Sequence, residues 1–229
     1  MVQKSTKRPR GRPRAYEPER ALAQARDAFW QGGFSGTSLD DLSAATGMNR
    51  PSLYGAFGDK RALYLTTIER YIAGGRKGME QALDLDLPLA QALRRVYEGA
   101  LALYLPGKGA ARGCFLIGTA ATEAVHDPDI RAKLGDGLRE FDRAFEARLQ
   151  HARDQGELDA STDPAALAKI ASAVLHTLAI RSRAGDSRAS LKATAEAAVR
   201  LICGSGKPVK RSGKRGSSAG KRRPSVADG

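Results

Sequence analysis

The chain has 229 residues, enough to bury a real core as one or two domains. Its 38 Lys+Arg against 25 Asp+Glu give a net charge of +13, which suits a polyanion partner. Two cysteines exclude a disulfide framework, and no apolar run approaches the ~20 residues of a bilayer span.

The charge is polarised along the chain. Residues 1 to 15 carry six basic side chains and no acid, and residues 204 to 229 carry eight against Asp228. The middle is therefore neutral, a globule between two basic tails that read as disordered. Such tails suit contacts with nucleic acid, or serve solubility alone. Within the first, Pro9-Arg10-Gly11-Arg12-Pro13 resembles the core of an AT-hook. Glycine leaves room at the floor of a narrow minor groove, and Arg10 and Arg12 meet its concentrated negative potential.

Glu17 to Gln31 has Leu22, Ala25 and Phe29 in helical register, and Gly32-Gly33 is expected to end it. Trp30 reads as a packing residue. The segment Thr37 to Lys60 then carries two short helices at a tight turn. Ser38 caps the first, and Asp40 and Asp41 suit its positive end. Gly47 stops it. Asn49 caps the second, Pro51 sits where a missing N–H costs nothing, and Gly58 ends it. Leu53 and Phe57 face inward, so Ser52, Tyr54 and Gly55 face out. A helix this short must dock on neighbours and display its other side. That is the build of a helix-turn-helix, or of an ordinary helical hairpin. Asp59 opens a longer helix through about Ile72, with Gly74-Gly75 as its end or hinge, and Lys60 lies in its first turn, where N–H groups attract phosphate.

The run SLYGAFGDKRAL, with Thr37-Ser38-Leu39 and Phe29-x-x-x-Gly33-Phe34 before it, resembles the TetR-type repressors. Tyr54, Phe57 and Lys60 stand at the family's motif spacing. The resemblance covers about Glu17 to Tyr71. The chain departs from it at Gly55 and Ala56, where the family often has an aromatic and a histidine, and at Arg61, where it often has an acid. Gly55 costs a helix about 1 kcal/mol relative to alanine.

After Pro88 the pattern is helical throughout. Leu89, Leu93, Val96, Tyr97, Leu101 and Tyr104 form one stripe. Gly113 to Ala124 reads as a very apolar helix. Asp127-Pro128, Asp163-Pro164 and Ser187 open three more, and Gly204 ends the last. The final two are alanine-rich and suit close packing, either within the monomer or, as in the resembled family, in a four-helix bundle with a second copy. Cys114 sits at a helix start beside Arg112, and both would lower its thiol pKa; the resemblance makes it a candidate sensor of oxidants or electrophiles, with a buried, inert cysteine as the alternative. The resemblance also implies an effector pocket, with Tyr97, Tyr104, Cys114, Phe115, Phe141, Phe145 and His176 as its candidate lining. They also suit a core.

The expectation is an all-α protein. Residues 1–15 form a basic arm, 16–72 a DNA-binding domain, 73–203 a ligand-binding and dimerisation domain, and 204–229 a basic tail. Its partners are double-stranded DNA, a second copy and an unidentified small molecule, with no membrane. Arg10, Arg12, Thr37, Ser38, Asn49, Arg50, Ser52, Tyr54, Gly55 and Lys60 are the expected DNA contacts. Thr37, Ser38, Tyr54 and Lys60 would hold phosphates; Asn49, Arg50, Ser52 and Gly55 would lie nearest bases. No catalytic motif, metal-ligand spacing or cofactor loop appears, so no cofactor, metal or enzyme activity is expected. The alternative is an architectural binder of A·T-rich DNA. Two cysteines without a disulfide framework suit a reducing cytoplasm, and the basic N-terminus lacks the apolar segment of a signal peptide.

Overall fold

The computed structural model describes residues 17–107 and 110–204; the AT-hook-like arm, with Arg10 and Arg12, and the tail beyond Gly204 lie outside them. The described residues are helical with no strand. In chain order they form α1 (Pro18–Gly36), α2 (Leu39–Thr46), α3 (Arg50–Phe57), α4 (Lys60–Ala82) and α5 (Leu89–Tyr104). A π-helical turn (Leu116–Ala120) runs into α6 (Ala121–Glu123), and α7 (Pro128–Asp154), α8 (Pro164–Arg183) and α9 (Arg188–Cys203) complete the fold.

The helix starts follow their caps. Asp127 and Asp163 each accept two backbone N–H groups ahead of a proline, and Ser187 accepts from Ser190. Three expected boundaries move. α1 does not end at Gly32-Gly33; it kinks at Gly33 (φ 71°, ψ 174°) and continues to Gly36. α4 is not broken at Gly74-Gly75, because its packing on α7 carries the helix through two poor formers. At Gly75 an added Cβ would meet the Phe141 ring at 2.9 Å, so the glycine sets how closely α4 and α7 approach. The helix expected from Gly113 begins only after Cys114, since Gly113 takes φ +63°. A Cβ there would press on the Ala179 carbonyl at 2.8 Å.

Helices α1 to α4 share a core with the rest of the chain. Tyr64 of α4 is fully buried between Phe29, Phe34 and Phe115, with ring centroids at 5.0, 4.9 and 5.9 Å. Its hydroxyl donates to Thr119 Oγ1 at 2.7 Å, and burial pushes its pKa up to about 12. α4 runs unbroken across the boundary expected at residues 72/73, so one rigid rod belongs to both halves. Trp30 packs as expected, and its Nε1–H donates to the Arg112 carbonyl at 3.0 Å.

A charged clamp adds a second tie. Arg61, at the start of α4, reaches Asp127 at 2.6 Å and Asp129 at 2.5 Å at the start of α7. The Arg61 hydrogen bonds hold the Asp127 carboxyl down at about 2, below the usual carboxylate value. The fold therefore favours the ionised form. Its contribution is fully present above about pH 4 and fades as pH falls through about 2. We expect Arg61→Ala to lower the melting temperature at pH 7, and the gap from the unaltered protein to close between pH 4 and pH 2. A gap that stays constant to pH 2 would show that the clamp is not acid-labile.

Candidate nucleic-acid interface and effector cavity

The turn between α2 and α3 is built from local chemistry. Ser38 and Asp41 form a reciprocal capping box: Ser38 Oγ accepts from the Asp41 N–H at 3.1 Å, and Asp41 accepts from the Ser38 N–H at 2.8 Å. Gly47 closes α2 at φ 66°, and Asn49 Oδ1 accepts from the Ser52 N–H at 2.9 Å to open α3. Leu42, Met48 and Leu53 bury the inner side. Ser52, Tyr54 and Gly55 are then displayed outward, and Tyr54 is 47% exposed, unusual for so large a ring. An added Cβ at Gly55 would meet nothing within 4 Å, so the exposed surface is open to a close backbone approach.

Not every expected contact residue is free to touch DNA. The Thr37 hydroxyl is buried and donates to the Gly33 carbonyl at 2.6 Å. It closes the α1 kink and is not displayed for phosphate. Arg50 is exposed but held by Asp40 at 2.7 Å, so reaching a base would break an existing bidentate pair. Lys60 lies 4.5 Å over the Phe34 ring, which orients its ammonium at the first turn of α4. Ser38 is exposed, with its hydroxyl already in the capping box.

A cavity of about 380 Å³ lies between α4, α5, α7, α8 and the segment around Cys114. Of the expected lining, Tyr104, Cys114, Phe141 and His176 face it. Tyr97, Phe115 and Phe145 do not. All three are buried in the packed interior, where Tyr97 donates to the Ala171 carbonyl and Phe115 stacks in the Tyr64 cluster. Tyr71, Trp30 and four glycines, Gly74, Gly75, Gly78 and Gly99, join the wall without having been expected there. At Gly74, Gly78 and Gly99 an added Cβ would meet nothing within 4 Å. Helices that omit side chains on facing sides leave space between them, and that is the signal the sequence offers.

The Cys114 thiol differs from its expected state. Burial pushes its pKa up, and this outweighs hydrogen bonds from Tyr71, backbone N–H groups and Tyr104 that favour the thiolate. The Tyr71 hydroxyl lies 3.3 Å from its Sγ. Nearby, Arg112 pairs with Asp27 at 2.9 Å and lies 4.6 Å over Trp30, so the cavity wall is joined directly to α1. Burial also lowers the pKa of His176, against the pull of Asp142. Among the described residues, no cluster of His, Cys, Asp or Glu is placed to hold a metal.

Residues 21–67 match the family of bacterial regulatory proteins named for TetR, and residues 89–198 match a tetracyclin repressor-like C-terminal domain. The HTH-type transcriptional repressor ComR of Escherichia coli K12 is 30% identical over 85% of this chain and 93% of its own. The chain belongs to the TetR family. An uncharacterised HTH-type transcriptional regulator of Bacillus subtilis strain 168, YezE, is 33% identical over 69% of this chain and 82% of its own. Among solved structures, a cysteine mutant of the TetR family regulator CifR, in complex with a 26-bp operator DNA, is 30% identical. It aligns with a TM-score of 0.71 over 82% of this chain and 98% of that one. The two matches take in the α2–α3 turn and, of the helices around the cavity, α5, α7 and α8.

Proposed function

We propose that this chain is a ligand-responsive, dimeric DNA-binding repressor. The observation that carries the reading is the outward face of α3, with Ser52, Tyr54 and Gly55 held out by a buried Leu53 in a TetR-family fold. ComR is named a repressor, and the CifR structure holds operator DNA. Ser52, Gly55 and the Asn49 amide lie nearest the bases, while Tyr54, Lys60 and Ser38 meet phosphates. Arg50 joins the base contacts only on leaving Asp40. Thr37 supports the surface from behind. A DNA partner suits a cytoplasmic site of action, and the described residues hold no helix long and apolar enough to cross a membrane. The related proteins are named as transcriptional regulators.

Dimerisation through α8 and α9 supplies the second reading head. Ile170, Ile180 and Leu201 are exposed on these helices, apolar surface that a second copy would cover. Selection of bound sequences from random DNA tests the function. A palindrome with half-sites about 34–36 Å apart supports it. Diffuse A·T-rich protection favours the architectural alternative.

The cavity is the effector site in this reading. Its wall includes Tyr71 and Gly78 of the same α4 that begins at Lys60, so a ligand that displaces α4 moves the reading head. It does so only by binding the displaced state better. The arm 1–15 adds minor-groove contacts through Arg10 and Arg12. Deleting it is expected to weaken DNA binding and flatten the salt dependence by about 0.9 for each phosphate the arm neutralises. An unchanged slope would remove the arm from the interface.

A further inference from the structure

The cavity is long, apolar and one-sided in charge. Along α4 its wall runs from Arg70 to Ala82, about 18 Å of helix. Along α5 it runs from Arg95 to Tyr104. Tyr71 and Tyr104 both act on Cys114, which fixes the register: the Trp30–Cys114 end faces the DNA-binding helices, and Arg95 lies toward the other end with Met79 and Ala82. Between them the wall is glycine backbone, Leu138, Phe141 and Leu175. Among the described residues no Asp or Glu lines the cavity, whereas Arg26, Arg70 and Arg95 do. Arg26 is paired with Asp27 and Arg70 with Glu19. Arg95 has no carboxylate partner among the described residues.

We propose that this cavity takes an elongated, mainly apolar anion, a medium-chain or arylalkyl carboxylate, with its carboxylate on Arg95 and its tail toward Trp30. The assignment rests on the reading of the cavity as the effector site. A cation is disfavoured. It would meet no carboxylate among the described wall residues, and the Trp30 face is already taken by Arg112 and Arg26, 4.6 and 5.8 Å from its ring. His176, held toward its neutral form by burial, adds a polar contact without charge. The apolar walls supply affinity by area, and the one unpaired guanidinium supplies orientation.

The test uses the full-length protein and probes matched in shape but not in charge: decanoate, 1-decanol and decylamine, with 4-phenylbutyrate and 4-phenylbutanol as a second pair. Each is kept below its micellar concentration. Binding is read by calorimetry, and operator affinity is measured in parallel. At least one carboxylate should bind about tenfold or more tightly than its alcohol, as a charge-assisted hydrogen bond provides. Arg95→Gln should erase that preference, and Arg95→Glu should turn it toward decylamine; Arg95 is exposed, so both variants fold. Alcohols that bind as well as carboxylates, tighter binding of the amine to the unaltered protein, a preference that survives Arg95→Gln, or no binding by either carboxylate would overturn the assignment. An Arg95-dependent preference without operator release would support the anion site and overturn the effector reading. Release by alcohol and carboxylate alike would do the reverse.

Discussion

Truncating Tyr64 to alanine is expected to lower the unfolding free energy by about 3–5 kcal/mol, as loss of a buried aromatic does. That is a large part of the total stability of a domain, about 5–15 kcal/mol. Tyr64 is fully buried, and its ring meets Phe29 and Phe34 on one side of the molecule and Phe115 on the other. No neighbouring side chain collapses into the gap without abandoning its own ring contacts, so the cavity term is added to the transfer term. Tyr64→Phe separates the ring from the hydroxyl. It keeps the packing and removes the bond to Thr119, whose own hydroxyl still donates to the Phe115 carbonyl at 2.8 Å. Its cost should be about 1 kcal/mol. Urea unfolding of both variants checks the pair. A loss below about 1 kcal/mol for alanine would mean that α1 and α4 do not share a cooperative core with the helices around the cavity.

Leucine at Gly78 and Gly99 is expected to have the opposite character, leaving DNA binding intact and abolishing the response to ligand. Both positions open into the cavity with nothing within 4 Å of an added Cβ. Leucine there fills the proposed effector space, and replacing glycine within a helix favours folding by about 1 kcal/mol at each site. Operator affinity should stay within about twofold, a change of roughly 0.4 kcal/mol, while the small molecule that releases the unaltered protein no longer does so. Gly75→Leu is the contrast. It drives atoms into Phe141, where a Cβ alone would sit at 2.9 Å, and overpacking of this kind costs about 1–3 kcal/mol. Ligand release that survives both cavity-filling substitutions would place the effector elsewhere.

What is legible in the sequence is local. The caps Ser38, Asn49, Asp59, Asp127, Asp163 and Ser187 act within three residues of themselves, and each opens the helix expected of it. Gly47 and Gly58 end their helices in conformations that favour glycine. Expectation and structure part where a distant element decides. Periodicity shows that Phe115 and Phe145 face inward, not whether the interior beside them is packed or empty. Arg50 reads as free because Asp40 belongs to the preceding helix. Thr37 reads as outward because the kink at Gly33 that needs its hydroxyl cannot be seen in one dimension. The neighbours of Cys114 point to an acidic thiol, but burial by α4 and α5 outweighs them. Gly74-Gly75 looks like a stop because helix propensity is a weak prior against tertiary packing. Glycines on the facing sides of two helices are the overlooked clue to the cavity.

The proposed reading head is the exposed side of α3 with the first turn of α4. The direct measurement is the affinity of Tyr54→Ala/Lys60→Ala for the sequence the unaltered protein selects, read across salt concentrations in protein shown to be folded and dimeric. Tyr54 is exposed and Lys60 only half-buried, so the fold survives the change. Binding should weaken and the salt slope fall by about 2 per dimer, one for each lysine–phosphate contact. Unchanged affinity and slope would contradict that assignment.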